Sequence, residues 1–390
     1  MILYPHWEWQ SLLTYIFLSV IGGLCAKNAR NAKMIKMGNR KICNLALLFW
    51  FLIWMFFACF RYIGWFVGGA DALAYKEYFL ICRDIGIESH FAEDILYRWL
   101  NQFVRIFTDD YHVLFFFVYA LVMISYFLVL ATFDTKKLDS IPYFILFYIF
   151  LRGFVTIRTN LSVAMILISL SFWKKKNRKY AIMFAIAAVL FQRAAVLYSF
   201  IIVYLYLIER KKITNWQCLV GVAVASVLGR TAQYIIANFN IPFVNTGAYR
   251  WYALYANENT SFFSGYWKIA FPEIILAITM MLMNKDIVRY EKTAEKREQN
   301  RARLVREICY YDFMTVPITY ILNIWRGYEY LYIFRLIMWA EVLLILKKKI
   351  PPKDLKLFKG IVFTLFLGYM IFKINGTWED SGLMPFRLKL

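Results

Sequence analysis

A chain of 390 residues that is 61% hydrophobic, 20% aromatic and only 18% charged exceeds the apolar share of soluble domains, about 45–50%, and reads as an all-α, polytopic integral membrane helix bundle. Its net charge of +21 does not mark a nucleic-acid binder, because the basic residues sit in short runs between apolar segments and not on one soluble face. The six cysteines form no CxxC pair, which excludes a zinc framework of that kind and leaves them as small buried side chains.

A membrane-crossing helix takes about 20 mainly apolar residues. Such runs fall near 10–26, 42–61, 112–131, 141–156, 158–173, 180–191, 194–208, 216–237, 266–284, 309–324, 331–346 and 360–374. They predict about 11–12 membrane segments in a single membrane domain over 1–390. The first run has Glu8 before it and basic residues after it, so it reads as an uncleaved helix and not as a signal peptide. With the N-terminus outside, the inside loops are 27–41, 132–140, 174–179, 209–215, 285–308 and 347–359, and they hold 30 of the 46 basic residues. The positive-inside rule therefore places both termini outside.

The same rule decides the segment 180–208. As one helix it would carry Arg210, Lys211 and Lys212 to the outer side. As two half-length helices with a corner at Gln192 and Arg193 it returns to the cytoplasm. Broken backbone at membrane depth must line a cavity or be buried in protein, so the corner is expected to face a cavity open to the outside.

Three outer segments follow from this arrangement. In 61–111, Asp71, Tyr75, Tyr78 and Phe79 are spaced as one helical face and Glu93, Tyr97 and Leu100 follow, which predicts two amphipathic helices on or in the outer surface. The second outer segment, 238–265, carries Arg250, and the third is the tail 375–390. The cytoplasmic loop 285–308 is strongly charged and is expected to be a solvated extension of a membrane helix.

Arginine within apolar stretches is costly unless it faces a cavity or a partner, and its planar fork matches phosphate oxygens two at a time. Arg152, Arg158, Arg193, Arg250, Arg326 and Arg335 therefore form a candidate site for a diphosphate. Arg61 and Arg230 are weaker members, lying near helix ends where a long side chain can reach the interface. Candidate acids or bases are Asp71, Glu93, Glu258, Glu273, Glu329 and Glu341, and Glu329 is close enough in sequence to pair with Arg326 or Arg335. The three histidines, His6, His90 and His112, lie outside the mid-membrane runs, which argues against an HExxH protease and a histidine-relayed pump. No acidic pair suggests a metal, and no nucleotide motif is visible. Arginines are thus expected to stabilise a leaving diphosphate without a bridging ion or other cofactor.

Several short stretches fall into a recognisable order. GGADALAYKEYF, with Asp71, Tyr75 and Phe79, has the form D-x-x-x-Y-x-x-x-F, and Glu93 with Tyr97 follow. IRTNLSVAMILISLSFWKKKNRKY is similar to an R-x-x-[LI]-A stretch with a basic turn, YIFRL to a late Y-x-x-R-[LI] segment, and MPFRLKL to a closing Pro-aromatic-basic tail. Over residues 50–390 the chain in this way resembles the EpsG branch of the Wzy-like polysaccharide polymerases, bacterial proteins of the cytoplasmic membrane that join lipid-linked oligosaccharides on its outer face.

The resemblance implies a glycosyltransferase that moves a growing glycan from polyprenyl diphosphate to a sugar hydroxyl on a second lipid-linked unit, inverting the anomeric centre without a metal. The product would be a capsule, exopolysaccharide or O-antigen type polymer. Arg158, Arg193, Arg335 and Glu93 are then the expected catalytic residues. Arg152, Arg250, Arg326, Gln192, Asp71, Tyr75, Tyr97, Trp251 and Tyr252 are expected to bind substrate. Implied partners are the lipid-linked donor and acceptor, membrane lipid, and a chain-length regulator and flippase of the same pathway. One departure matters: FQRAAVL places Gln192 and Arg193 where the family has a Phe-His-x-[ST]-[AG] corner, so either a base comes from elsewhere, from Glu93 or Glu258, or the reaction depends mainly on arginine stabilisation of the departing diphosphate. The alternative reading is a flippase for lipid-linked oligosaccharides, which predicts internal repeats with matching half-helices; the sequence shows no such symmetry.

Overall fold

The computed structural model describes residues 8–28, 34–37, 40–64, 67–69, 71–82, 94–135, 138–142, 153–209, 213–239, 266–322, 327–376 and 388. By contacts the chain divides into two compact units, one of residues 1–87, 99–164 and 340–390, the other of 88–98 and 165–339.

The first unit starts with α1 (Trp9–Asn28), a hairpin of β1 (Met34–Met37) and β2 (Arg40–Asn44), and α2 (Leu45–Cys59). The hairpin is a small exception within the all-helical architecture that was expected. It pairs antiparallel from Met34↔Asn44 to Met37↔Arg40, with an irregularity between Ile35 and Lys36, inside the basic loop 27–41. A strand as short as MIKM carries too little alternation to be seen in sequence. Next come α3 (Ala72–Ile81), α4 (Ile95–Phe107) and α5 (Tyr111–Thr132). Helix α2 packs against α1 and α5, and α3 against α5. The buried Trp50 meets Phe127 edge-on at 5.4 Å. Helix α3 buries Ala72, Tyr75, Tyr78 and Phe79; the tyrosines and Phe79 belong to the face anticipated from their spacing, whose fourth member, Asp71, precedes the helix. Helix α4 exposes Trp99, Phe103, Ile106 and Phe107 along one side, as a helix lying at a membrane surface would.

Helix α6 (Ile157–Lys174) leads into the second unit. There α7 (Arg178–Phe191) stops at Gln192, whose backbone is extended at φ −158° and ψ 118°. The 3-10 turn Arg193–Ala195 follows, then α8 (Val196–Ser199) and α9 (Ile201–Ile208). The chain folds back on itself here. Ser199 Oγ donates to the carbonyl of Ala185 at 2.8 Å, and Glu209, just beyond α9, pairs with Arg178 at the start of α7. The corner expected at Gln192 is thus present, and the hydroxyl of Ser199 ties the returning chain to the middle of α7.

Helix α10 (Asn215–Asn238) is capped by Thr214 and Gln217, each side chain bonding the other's backbone N–H. Helices α11 (Tyr266–Leu282), α12 (Asn284–Thr293), α13 (Lys296–Ile321), α14 (Tyr332–Lys347) and α15 (Pro352–Gly376) complete the order, with α14 returning to the first unit from Ala340. Small residues let α10 approach α13 closely. A Cβ at Gly221 would collide with the Met314 side chain, and one at Gly229 would meet Ile321 at 3.0 Å.

Described helices fall on every expected apolar run except 141–156, most of which lies outside the described residues. Three are long and apolar enough to cross a membrane: Tyr111–Thr132, Asn215–Ile236 and Pro352–Phe372. Four shorter apolar helices accompany them, Trp9–Cys25, Leu48–Cys59, Arg193–Ile208 and Phe271–Leu282.

Candidate functional site

Two groups of buried polar side chains stand out in the second unit. The first sits at the corner. Gln192, 5% exposed, accepts a hydrogen bond at Oε1 from the Tyr330 hydroxyl at 2.9 Å. The Tyr330 ring lies flat on Tyr198, 4.4 Å between centroids. Gly327 leaves room beside them, since a Cβ there would come within 2.6 Å of the Tyr198 hydroxyl. Arg193 begins the 3-10 turn and is half-buried.

The second group is built on Arg335, 2% exposed in α14. Its Nε and one terminal nitrogen grip both oxygens of Asp312, the latter at 2.9 Å, and its other terminal nitrogen bonds Glu273. Tyr332 lies 5.4 Å from the guanidinium. Three helices, α11, α13 and α14, are joined by this ion cluster. Arginine's fork suits a bidentate carboxylate, and the low-dielectric surroundings strengthen the attraction while demanding that it be kept. Arg335 was expected to grip a diphosphate. Here carboxylates occupy both sides of its fork, and Glu273, a candidate base, serves as an arginine's partner. Glu329 is not the carboxylate bound to Arg335. Asp312 was missed, although it is the only charged residue in the run 309–324. The rule that a charge at membrane depth needs an opposite partner was the signal that could have found it.

In the first unit, Arg158 occupies the first turn of α6 and is 8% exposed. Nearby on the chain, Asn160 donates from Nδ2 to the carbonyl and hydroxyl of Thr156, both at 3.0 Å, bracing the helix start. Asp71 precedes α3 and is half-buried. Tyr75 and Tyr97, expected to hold sugar, are both 0% exposed, Tyr75 in α3 and Tyr97 in α4. Arg61 departs from the interface position expected of it. It is 0% exposed and wrapped by the rings of Phe115, Tyr119 and Phe154 at 5.2, 5.2 and 4.4 Å. Arg230 does lie at the surface, bonded to Gln233 at 2.8 Å.

Arg152, Arg250, Arg326, Glu93, Glu258, Trp251 and Tyr252 lie outside the described residues. The expectation of a solvated segment at 285–308 holds for Lys285, Arg289, Lys292 and 295–297, which are exposed, and is corrected for the charges that face inward. Helices α12 and α13 turn Glu291, Arg301, Arg306 and Glu307 inward, each at most 3% exposed. Arg306 reaches Glu291 at 2.7 Å and Glu307 at 3.1 Å. Burial pushes the Glu307 carboxyl up, against the pull of Arg306. Pairing between helices, invisible to a count of charges, is what makes this burial tolerable.

No curated protein and no solved structure matches the chain. The EpsG family model matches residues 44–388, which spans both units and includes the Gln192 corner and the Arg335 cluster. Together with its apolar helices, this match makes the chain a membrane protein of the EpsG family, a family of Wzy-like polysaccharide polymerases.

Proposed function

We propose that the protein polymerises oligosaccharide units carried on polyprenyl diphosphate at the outer face of the bacterial cytoplasmic membrane, as a multi-pass, single-domain glycosyltransferase. The observation that carries this reading is the family match over residues 44–388. In the reaction, an acceptor sugar hydroxyl attacks the anomeric carbon of the donor and the bond from that carbon to the diphosphate oxygen breaks. The anomeric centre inverts, the hydroxyl proton passes to a base, and polyprenyl diphosphate departs with the bonding electrons. Negative charge builds on the leaving oxygen, which is where fixed cations act most strongly.

Arg158 at the first turn of α6 and Arg193 at the turn after Gln192 are the side chains we assign to diphosphate. Arg335 serves the site differently, by fixing Asp312 and Glu273. The base is a carboxylate, for which Glu93 is the candidate carried by sequence. No metal takes part in this scheme. Arg158→Ala and Arg193→Ala should each express normally, abolish long polymer and leave single lipid-linked units facing outward. Long polymer of normal length from both variants would falsify the assignment, and single units trapped facing inward would instead identify a flippase.

A further inference from the structure

Arg61 is a fully buried cation, and among the described residues no carboxylate touches it. Its Nε donates to the carbonyl of Gly68 at 2.8 Å, one terminal nitrogen to the carbonyl of Ala58, and the other to the Tyr119 hydroxyl at 2.8 Å and the carbonyl of Phe154 at 3.2 Å. The Tyr119 hydroxyl in turn donates to the carbonyl of Gly153 at 3.2 Å. The Arg61 backbone forms an antiparallel bridge with Leu388. A buried charge without a counter-charge is more costly than an apolar side chain of the same size, so packing alone does not account for arginine here. What arginine adds is direction: a rigid fork that bonds several acceptors at fixed angles, which lysine's single ammonium cannot do.

Two of these acceptors, and the bridge partner, lie close in sequence to residues singled out above. Gly68 is three residues before Asp71, Phe154 is four before Arg158, and Leu388 lies in the closing MPFRLKL tail. Gly68 and Gly69 have φ of +84° and +112°, conformations open to glycine. A Cβ on Gly69 would sit 2.5 Å from the same Phe154 carbonyl that Arg61 binds. The turn before α3 and the strand of chain before α6 are therefore pressed together with one guanidinium between them and their neighbours.

We propose that Arg61 is a positioning residue of the polymerase, setting the spacing between the segment that presents Asp71 and the helix start that presents Arg158, with the C-terminal tail anchored to the same point. Being 0% exposed, it touches no substrate. The proposal rests on the polymerase reading for its catalytic consequence but not for its geometry.

Full-length protein carrying Arg61→Lys, and separately Tyr119→Phe, tests it on two readouts. With purified lipid-linked oligosaccharide, Arg61→Lys should lower kcat about 100-fold, the scale of a misplacement near one ångström, with KM within about twofold of wild type. Tyr119→Phe, which removes one hydroxyl and keeps the ring, should lower kcat about tenfold. Arg61→Lys combined with Arg158→Lys should be no worse than about the larger single effect, because both act on one group. Hydrogen exchange needs no substrate: Arg61→Lys should speed exchange at the starts of α3 and α6 while leaving α10 and α13 unchanged. Wild-type kcat in both single variants, or unchanged exchange at α3 and α6, overturns the proposal. A wild-type protein that makes no polymer while Arg61→Lys still loosens α3 and α6 leaves the positioning intact and sinks the polymerase reading.

Discussion

The Tyr330 hydroxyl donates to Gln192 Oε1 at 2.9 Å across 138 residues of sequence, and so Gln192, which the resemblance sets where a histidine was expected, is held as a hydrogen-bond acceptor in a buried corner. A neutral imidazole could also accept this bond through one ring nitrogen. Gln192→His should therefore fold, keep the Tyr330 bond and lose less stability than Gln192→Ala. A double-mutant cycle of Gln192→Ala with Tyr330→Phe should give a coupling of about 1 kcal/mol, the net worth of one such bond. Thermal unfolding in detergent measures it, and additivity of the two changes would show that the bond contributes nothing.

Arg335 answers to two carboxylates, and the consequence is asymmetric. Arg335→Ala leaves Asp312 and Glu273 buried without the cation, so a loss on the order of 3–5 kcal/mol is expected, enough to remove folded protein from the membrane. Glu273→Gln keeps an oxygen acceptor for one terminal nitrogen and leaves the two-point grip on Asp312 in place; it should fold and cost less than Asp312→Ala. Yield of monodisperse protein by size-exclusion chromatography gives the ranking. Equal loss from Glu273→Gln and Asp312→Ala would mean that the bidentate pair is not the centre of the cluster. Loss of polymer in Arg335→Ala by itself says nothing about diphosphate binding.

Much of the helical layout was legible because apolar runs have only one way to satisfy their backbone in lipid. The corner at Gln192 was legible for a different reason: Arg210, Lys211 and Lys212 could not be carried to the outer side without violating the charge bias. What sequence hid is pairing at long separation. Arg61 finds Tyr119 and Phe154, 58 and 93 residues away, and a local pattern near a helix end suggested an interface position instead. Asp312 is the one charge in the run 309–324, Arg335 had Glu329 as its expected partner, and the packing of α13 and α14 shows that Asp312 answers Arg335 instead. The inward turn of Arg301 and Arg306 was hidden similarly, because a dense charge run reads as solvated unless its partners on another helix are known.

Glycine substitutions separate backbone constraint from mere helix composition. Gly69→Ala meets both a φ of +112° and the Phe154 carbonyl at 2.5 Å, and it should destabilise by more than about 1 kcal/mol. Gly360, in α15, has nothing within 4 Å of an added Cβ. Gly360→Ala should be neutral or stabilise by up to about 1 kcal/mol through helix propensity. Melting temperatures of the two variants, measured side by side in one detergent, should therefore move in different directions or by clearly different amounts. Parallel shifts would contradict the packing of Gly69 on the α6 approach.

The ion pair of Arg178 and Glu209 marks where the broken helix returns to its start, and its energetics follow from its exposure. The two side chains are 34% and 43% exposed, so the pair itself should be worth no more than about 1 kcal/mol. Arg178 does more than pair: its guanidinium lies 3.4 Å from the Trp173 ring centroid and donates to the Trp173 carbonyl at 3.3 Å. Arg178→Glu should therefore cost more than Glu209→Arg, since it also removes a cation from an aromatic face. Joining the two reversals should recover only the pair's own share, leaving the Trp173 loss in place. Unfolding of the three variants tests this order. If the double reversal were no better than the sum of the singles, Arg178 and Glu209 would not be neighbours, and the return of α9 to the beginning of α7 would have to be abandoned.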